Sequence, residues 1–406
     1  MLEDMKRIMN SVKGIYGLMT HDELALLCRF ARSASSIAEL GCFKGRSLGA
    51  MGLSNPMAKL YGIDWFGDMS HRGYVGSTLE ETKANLDRLG VEAEFFIGTT
   101  DEVAPGFDRD IDLLHVDAGH SYQECTNDLN NYTPKIVPGG AVCIHDYGAA
   151  RKDALDRPEV KDAVDDWIKS NQDWVEVERS GTMIAFRHML AEKGALYIAY
   201  GEKAVENVSL SASLLKKHAP DLPIAVITDA ETIPEADYLI RHIDMDQGAR
   251  QIKTRIYSLS PFYKTLYLDA DTEVLQDPQH GFDLLELADL VIGQDTVRIF
   301  NQNKHPHLVK EEIQKTKRET GGGEYAYYNT GVMFFRRSER MKELMQAWHR
   351  EWTHWGRQDQ PAFYRAMFYN PIRIAAMRNP WNTHHRKQAE FVFHAHLRAS
   401  RSGAPK

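Results

Sequence analysis

Twice along this chain, short apolar runs alternate with helix-length amphipathic patterns, and the alternation stops and restarts around residues 188–194. In the first half, runs at 36–40, 59–65, 93–98, 112–117 and 141–145 read as buried strands. Helical patterns at 45–53, 78–89 and 121–136 lie between them. Strand–helix–strand order of this length favours parallel pairing, because each crossover helix returns the chain to the same edge of the sheet. Pro138-Gly139-Gly140 reads as a turn that launches the fifth strand. A helix over 158–170 follows, then two β-rich runs, 174–179 and 182–187, around a Ser180-Gly181 hairpin turn. After the restart, strands are expected at 195–199, 224–228, 238–242, 265–268, 290–293 and 331–335. Helices are expected at 204–218, 282–287 and 339–355. The pattern predicts two consecutive α/β domains, 1–190 and 191–406, abutting without a Gly/Ser or Pro-rich linker. They do not repeat each other in sequence, and residues 399–406 read as a disordered tail.

Composition narrows the function. The 406 residues are 43% hydrophobic and 26% charged, as in an ordinary soluble protein. No apolar run approaches the ~18 residues a transmembrane helix needs, and MLEDMKRIMNSVKG has no signal-peptide core. Cys28, Cys42, Cys125 and Cys143 show no metal-type spacing, so free thiols in a reducing cytoplasm are expected. Residues 1–190 carry 20 basic and 30 acidic side chains, and residues 191–406 carry 29 and 27. Neither half has the basic excess of a general nucleic-acid binder. The second half is near neutral and holds 12 of the 17 histidines, counted after residue 187, which suits an anionic small molecule. Nothing here decides between a monomer and a homo-oligomer.

The strand ends of the first half carry its chemistry, since open α/β sheets bind ligands at that edge. The first strand runs into Glu39-Leu40-Gly41-Cys42-Phe43-Lys44-Gly45-Arg46-Ser47, a tight loop whose glycines let backbone approach a ligand. The second ends in Asp64-Trp65, placing an acid where it can accept from a ribose diol. The third ends in Gly98-Thr99-Thr100-Asp101, a polar bend where an adenine could lie. In this order the pieces resemble the class I S-adenosylmethionine methyltransferases, over residues ~30–187. The resemblance implies a Rossmann-like sheet with a C-terminal hairpin. It assigns the methionine end to the Glu39–Ser47 loop, with Gly41, Phe43 and Gly45. Asp64 and Trp65 would meet the ribose, Thr99 and Asp101 the adenine.

Two further strand ends read His115-Val116-Asp117-Ala118-Gly119-His120-Ser121-Tyr122 and Cys143-Ile144-His145-Asp146-Tyr147. They look like the branch of that family that methylates sugar hydroxyls, where carboxylates at both ends hold Mg²⁺ in the members that use it. Asp117 and Asp146 match those positions. The chain departs at Gly119, where the pattern has an acid that can serve as base. His120 is the natural substitute, since imidazole titrates near neutrality, and His145 is a second candidate. Cys42 and Cys143 read as packing residues.

In the second half the apolar run at 265–268 ends in Asp269-Ala270-Asp271. Two carboxylates at a strand end suit a hard divalent cation that clamps a diphosphate. Four features surround them. A first strand runs into Ala199-Tyr200-Gly201, where a uracil or other base can lie on backbone and Tyr200. A basic helical pattern at 249–257 offers Lys253 or Arg255 to a diphosphate. Tyr328-Asn329-Thr330-Gly331 opens a strand with small polar residues for a sugar. Phe393-His394-Ala395-His396 comes late, and a histidine added to the acids gives N/O ligation suited to Mn²⁺. The order resembles the GT-A glycosyltransferases similar to family 8, over residues ~194–397. By that resemblance Asp269 meets ribose and metal, and Asp271 with His394 or His396 ligates Mn²⁺ or Mg²⁺. Asn329, Asp359 and Gln360 face the sugar. A sugar-nucleotide pyrophosphorylase would need a Gly-rich, Arg-containing loop, which Tyr200–Val205 lacks. Trp348, Trp352 and Trp355 fall on one helix face and read as packing. His384 and His385 sit in a loop that could line an acceptor cleft.

Together these imply a bifunctional cytoplasmic enzyme, able to work at the inner face of the membrane. Its methyl donor would be S-adenosylmethionine, its sugar donor a nucleotide-diphospho-sugar, most simply a UDP-sugar. The shared acceptor would be a glycan or glycolipid of surface polysaccharide biosynthesis. Two alternatives stay open: a non-catalytic first domain that binds S-adenosylmethionine or glycan, and tailoring of a secondary metabolite or nucleic acid.

Overall fold

The computed structural model describes residues 2–67, 78–148, 158–242, 249–295, 309–321, 326–378, 381–383 and 386–394. The chain forms two compact units, the first running to Leu190 and the second starting at Ala191. No helix among the described residues is long and apolar enough to cross a membrane.

In the first unit the elements run α1 (Leu2–Val12), α2 (His21–Ala31), β1 (Ser36–Leu40), α3 (Arg46–Ser54), β2 (Lys59–Asp64), α4 (Leu79–Leu89) and β3 (Glu94–Ile97). They continue with α5 (Thr100–Val103), β4 (Ile111–Val116), α6 (Tyr122–Tyr132), β5 (Ile136–Ile144), α7 (Pro158–Ser170), β6 (Trp174–Ser180) and β7 (Met183–His188). The sheet order is β3-β2-β1-β4-β5-β7-β6. The first five strands pair in parallel, and the β6–β7 hairpin closes the edge antiparallel. One face packs α1, α2 and α3 through Ile8, Leu24, Leu27, Phe30 and Leu48. The other packs α6 and α7 through Leu129, Tyr132, Val164 and Trp167. Each large apolar side chain buried this way stabilises by roughly 1.5–3 kcal/mol. All four cysteines are free and buried.

Pro138-Gly139-Gly140 does not launch the fifth strand as the sequence suggests. β5 starts at Ile136 and runs through it, and the β4–β5 register slips there, with Ile111 opposite Ile136 but Leu113 opposite Ala141. Gly139 takes φ +84°, so the triplet is a bulge inside the strand.

The second unit runs β8 (Ala191–Ala199), α8 (Glu202–His218), β9 (Ile224–Thr228), β10 (Tyr238–Arg241), α9 (Ala249–Lys253), α10 (Ile256–Leu259), β11 (Phe262–Leu268) and β12 (Thr272–Val274). It continues with α11 (Gln279–Leu284), β13 (Leu290–Gln294), α12 (Lys310–Glu319), β14 (Tyr328–Arg336), α13 (Glu339–Trp355), α14 (Asp359–Tyr369), β15 (Ile374–Met377), β16 (Asn382–Thr383) and β17 (Val392–His394). The main sheet is β10-β9-β8-β11-β14-β13-β15, mixed in direction, and β12-β17-β16 form a small second sheet. The single basic helix expected over 249–257 is two short helices instead. Arg255 breaks them at φ −114°, because the backbone there turns to cap α10. Trp348 and Trp352 are fully buried, and their indole N–H groups donate to the carbonyls of Asp359 and Arg357.

Candidate active sites

In the first unit the glycine loop after β1 meets the turn after β4. Gly41 has φ +86°, and a Cβ there would lie 2.2 Å from the Asp117 carbonyl oxygen, so only glycine fits. Gly45 caps α3 from the left-handed region. Phe43, Phe66 and Asp146, none of them glycine, also have left-handed φ of 48°, 49° and 60°. They follow β1, β2 and β5, so the strain gathers at one edge of the sheet, as it does at functional sites. Asp64 holds two of these turns, accepting from Phe43 N–H and Phe66 N–H at 2.8 Å each. Burial pushes its carboxyl up, against those backbone donors. Trp65 beside it is half exposed.

Other cofactor candidates are engaged inside the protein. Glu39 is fully buried and bonded to His115 Nδ1 at 2.8 Å; burial raises its carboxyl, while His115 and Ser47 oppose the rise. One Glu39 oxygen is thus held by His115 at the end of β1. Thr99 caps α5, and Asp101 accepts from Asn127 and Asn131 of α6 at 2.8 and 3.0 Å.

Asp117, His120 and Asp146 bring their ligand atoms within 4.8 Å of one another. His120 Nε2 lies 3.0 Å from Asp146 and 3.8 Å from Asp117. His145 Nδ1 lies 3.2 Å from Asp117 and 3.5 Å from Asp146. Burial alone would raise Asp117, but His145, His120 and His115 hold it well below the usual carboxylate range. Burial alone would lower His145, but Asp117, Glu23 and Asp146 carry it well above the ordinary imidazole value. The carboxylates around His145 thus favour its charged form. Gly119 explains the missing acid: a Cβ there would lie 2.4 Å from the Glu124 Cβ, and Glu124 is committed to capping α6 through Ser121.

In the second unit Asp269 and Asp271 lie between β11 and β12, at the end of a strand whose last four residues are buried. Lys253 Nζ lies 3.0 and 3.2 Å from the two oxygens of Asp269 and 2.9 Å from Asp359. Burial would lower this ammonium, but the two aspartates raise it above the ordinary lysine value. Burial would raise Asp359, but Lys253 and Thr330 lower it. The lysine expected to meet a diphosphate is thus the internal counter-ion of the two acids. Arg255 is buried.

Gly331 is the meeting point of this site. A Cβ there would lie 2.7 Å from both Asp269 Oδ2 and His394 Cε1. His394 pairs opposite Thr272 in the small sheet and bonds Asn382 through Nε2 at 2.6 Å. Asp269, Asp271 and His394 do not gather as tightly as the first unit's cluster: among the described residues that cluster alone draws three such ligands within 4.8 Å. Asn329 accepts from Gly331 N–H at 2.8 Å, and Gln360 donates to Asp295 and the Tyr328 carbonyl. Ala199 is buried at the end of β8, and Tyr200 follows it half-buried. A buried hydroxyl chain, Tyr197–Ser211–Thr272, ends on the Asp269 carbonyl and fixes the acidic turn to α8. His384, His385, His396 and the tail over 399–406 lie outside the described residues.

The sequence reading missed Glu23. Its signal was there: Thr20-His21-Asp22-Glu23 is a capping box, and the structure closes it.

Residues 38–147 match the family described as a methyltransferase domain. Residues 260–389 match the family described as a nucleotide-diphospho-sugar transferase. A curated relative, the 8-demethyl-8-(2,3-dimethoxy-alpha-L-rhamnosyl)-tetracenomycin-C 4'-O-methyltransferase of Streptomyces olivaceus, is 29% identical over 131 residues, 31% of this chain and 47% of the relative. The chain spans about half the length of that relative. Among solved structures, the O-methyltransferase NovP is 18% identical, covering 42% of this chain and 83% of its own, with a TM-score of 0.35. The O-methyltransferase TomG from Streptomyces achromogenes is 19% identical, covering 46% and 89%, with a TM-score of 0.33.

Proposed function

We propose that this chain, a methyltransferase domain followed by a nucleotide-diphospho-sugar transferase domain, is a bifunctional enzyme of glycan modification. The domains part at 190/191. The first moves the methyl group of S-adenosylmethionine to a sugar hydroxyl. The second moves a sugar from a nucleotide-diphospho-sugar, a UDP-sugar, to a glycan or glycolipid acceptor in the cytoplasm or at the inner face of its membrane. One observation supports the methyl-transfer reading: Gly41 brings the loop that would hold the methyl donor against the Asp117 turn of the Asp/His cluster. The relative from Streptomyces olivaceus, by name a 4'-O-methyltransferase of a rhamnosyl group, supports a sugar hydroxyl as acceptor.

Methyl transfer needs in-line attack of oxygen on the sulfonium carbon, and positioning supplies much of the rate. The loop at Gly41, Phe43 and Gly45 seats the methionine end, Asp64 and Trp65 the ribose, Thr99 and Asp101 the adenine. Asp117 and Asp146, with His120 as third donor, fit a divalent cation such as Mg²⁺ or Mn²⁺. Such an ion would lower the pKa of the acceptor hydroxyl. Where no ion is bound, His120 takes the hydroxyl proton; with its ring nitrogen on an ion it is a ligand and not the base.

In the second unit, Asp269 and His394 flank one point at Gly331, and Asp271 lies in the same turn, a donor set that fits Mn²⁺. Asp271 and His394 would hold that ion, which would neutralise the diphosphate. Asp269 faces the ribose, Ala199 and Tyr200 the base. Asn329, Asp359 and Gln360 face the sugar, and Lys253 keeps the acids apart from one another's charge.

A thermal-shift panel on the full chain tests both halves. A ligand at a hundred times its dissociation constant stabilises by about 2.7 kcal/mol. S-adenosylhomocysteine should raise one transition, and UDP-sugars with Mn²⁺ the other. Silence to every nucleotide sugar with Mn²⁺ would remove the second activity, and silence to S-adenosylhomocysteine the first. The tetracenomycin relative favours one second reading, a small glycosylated metabolite as methyl acceptor. Radiolabel from S-adenosylmethionine would then enter small glycosides and leave polymeric glycan unlabelled.

A further inference from the structure

Glu23 has more partners than a helix cap needs. A capping-box acid ordinarily accepts the N-cap backbone N–H at the protein surface. Here the side chain is 3% exposed and both oxygens are used. Oε2 accepts from Thr20 N–H and Thr20 Oγ1 at 2.7 Å each, and lies 3.6 Å from His145 Nε2. Oε1 accepts from Thr182 N–H at 2.7 Å and from its hydroxyl at 2.9 Å. Thr182 stands at the tip of the β6–β7 hairpin. Gly181 beside it has φ +58°, and a Cβ there would lie 2.3 Å from Glu23 Oε1, so the glycine is what lets the tip come so close.

Both contacts lead to the Asp/His cluster by separate routes. Through an ion-pair contact at 3.6 Å, Glu23 backs the imidazole whose Nδ1 lies 3.2 Å from Asp117 and 3.5 Å from Asp146. Through Thr182, whose carbonyl accepts from Tyr147 N–H at 2.8 Å, it fixes the backbone next to Asp146. Removing Glu23 would free the ring and loosen the turn together.

We propose that Glu23 is the positioning residue of the methyl-transfer site, holding His145 and the turn after Asp146 so that Asp117, His120 and Asp146 converge on a divalent cation. This rests on the methyltransferase reading of the first unit. Residues one shell out from a metal orient the ligands, and their loss costs about ten- to a hundredfold in affinity.

The test uses the full chain carrying Asp271→Asn, which removes the second unit's acidic pair from the signal. Mn²⁺ alone is titrated and followed by electron paramagnetic resonance, and S-adenosylhomocysteine is titrated by calorimetry. Glu23→Gln should weaken Mn²⁺ about ten- to a hundredfold and leave S-adenosylhomocysteine within about twofold. Glu23→Asp, which keeps the charge, should recover part of the loss. In a His145→Ala background, Glu23→Gln should cost clearly less than it does alone, because the two act as one unit. Should Glu23→Gln fail to fold, Thr182→Val probes the second route, and its Mn²⁺ affinity should fall by a smaller factor. Unchanged Mn²⁺ affinity in the folded variants, or full additivity with His145→Ala, overturns the proposal. So does a parent chain that binds S-adenosylhomocysteine but no Mn²⁺, and that result leaves the methyltransferase reading standing. A parent that binds neither overturns both.

Discussion

The two units neutralise their acids in different ways. In the first, Asp117 and Asp146 are met by imidazoles, His145 at 3.2 and 3.5 Å and His120 at 3.0 Å from Asp146. In the second, Asp269 and Asp359 share one ammonium, Lys253. An imidazole starts from a far lower reference value than an ammonium, so its charge depends on the carboxylates around it, whereas a paired lysine is charged with or without them. The first cluster therefore draws three ligand atoms within 4.8 Å of one another. The second holds its acids with a fixed cation that turns away from them only if something else supplies charge. Carboxylates alone do not define a site's behaviour; the cation that nature sets beside them does.

Replacing the first unit's central acid should have the largest effect. Asp117→Asn takes away the carboxylate that faces both His120 and His145 and should cut methyl transfer by at least about 10²-fold, the low end for a disabled general base, with S-adenosylhomocysteine binding retained. Retained turnover would mean that the convergence at Asp117 serves structure alone. For the second unit, Lys253→Met leaves buried Asp359 with only Arg250 at 3.8 Å and takes the ammonium from Asp269, whose side chain is 33% exposed, and should destabilise it by about 1–3 kcal/mol. Denaturant unfolding, read on the transition that a UDP-sugar shifts, measures this. A change below about 1 kcal/mol would make Lys253 no more than a surface-type ion pair. Gly41→Ala forces a Cβ against the Asp117 carbonyl in a left-handed backbone and should cost about 1–3 kcal/mol, read as weaker S-adenosylhomocysteine binding by calorimetry.

The smallest effect is a drift with pH in metal-free protein. The folded pKa of His145 is raised, so its contribution is full below the unfolded value near ~6.5 and fades as pH rises towards the folded value. Lys253 is raised from a higher start, so the second unit loses its pair only above about pH 10.4. Glu23 and Asp117 are depressed, so their contribution is present above ~4 and is lost as pH falls further. Between pH 7 and 10 the first transition should weaken while the second holds. Parallel behaviour of both would erase the distinction between imidazole and ammonium.

Much of the fold was legible because a buried strand writes itself as an apolar run. β1, β9, α7 and α13 lie where the spacing put them, and the other core strands shift by a few residues at their ends. What escaped had a pattern that served two purposes. Pro138-Gly139-Gly140 has the chemistry of a turn, and the bulge that absorbs it depends on pairing with β4. α1, α2 and α14 were not anticipated, although Thr20 and Glu23 spell the start of α2. At the sites, residue types were readable and partners were not. Lys253 was visible as a basic residue before the acids, but its second partner, Asp359, is brought in by α14 from far along the chain. Glu39 reads as a ligand because it opens the glycine loop, and the sequence gives no sign that His115 of the neighbouring strand bonds it.

One feature of the fold sets how the molecule can be watched at work. All four thiols are buried; burial pushes Cys28 and Cys125 up to about 12 and raises Cys42 and Cys143 as well. The thiolate is the form that reacts, so maleimide dyes should leave the native chain unlabelled at neutral pH. A single cysteine introduced at Met57, 82% exposed, would then carry a fluorophore against a dark background, with no native cysteine to delete first.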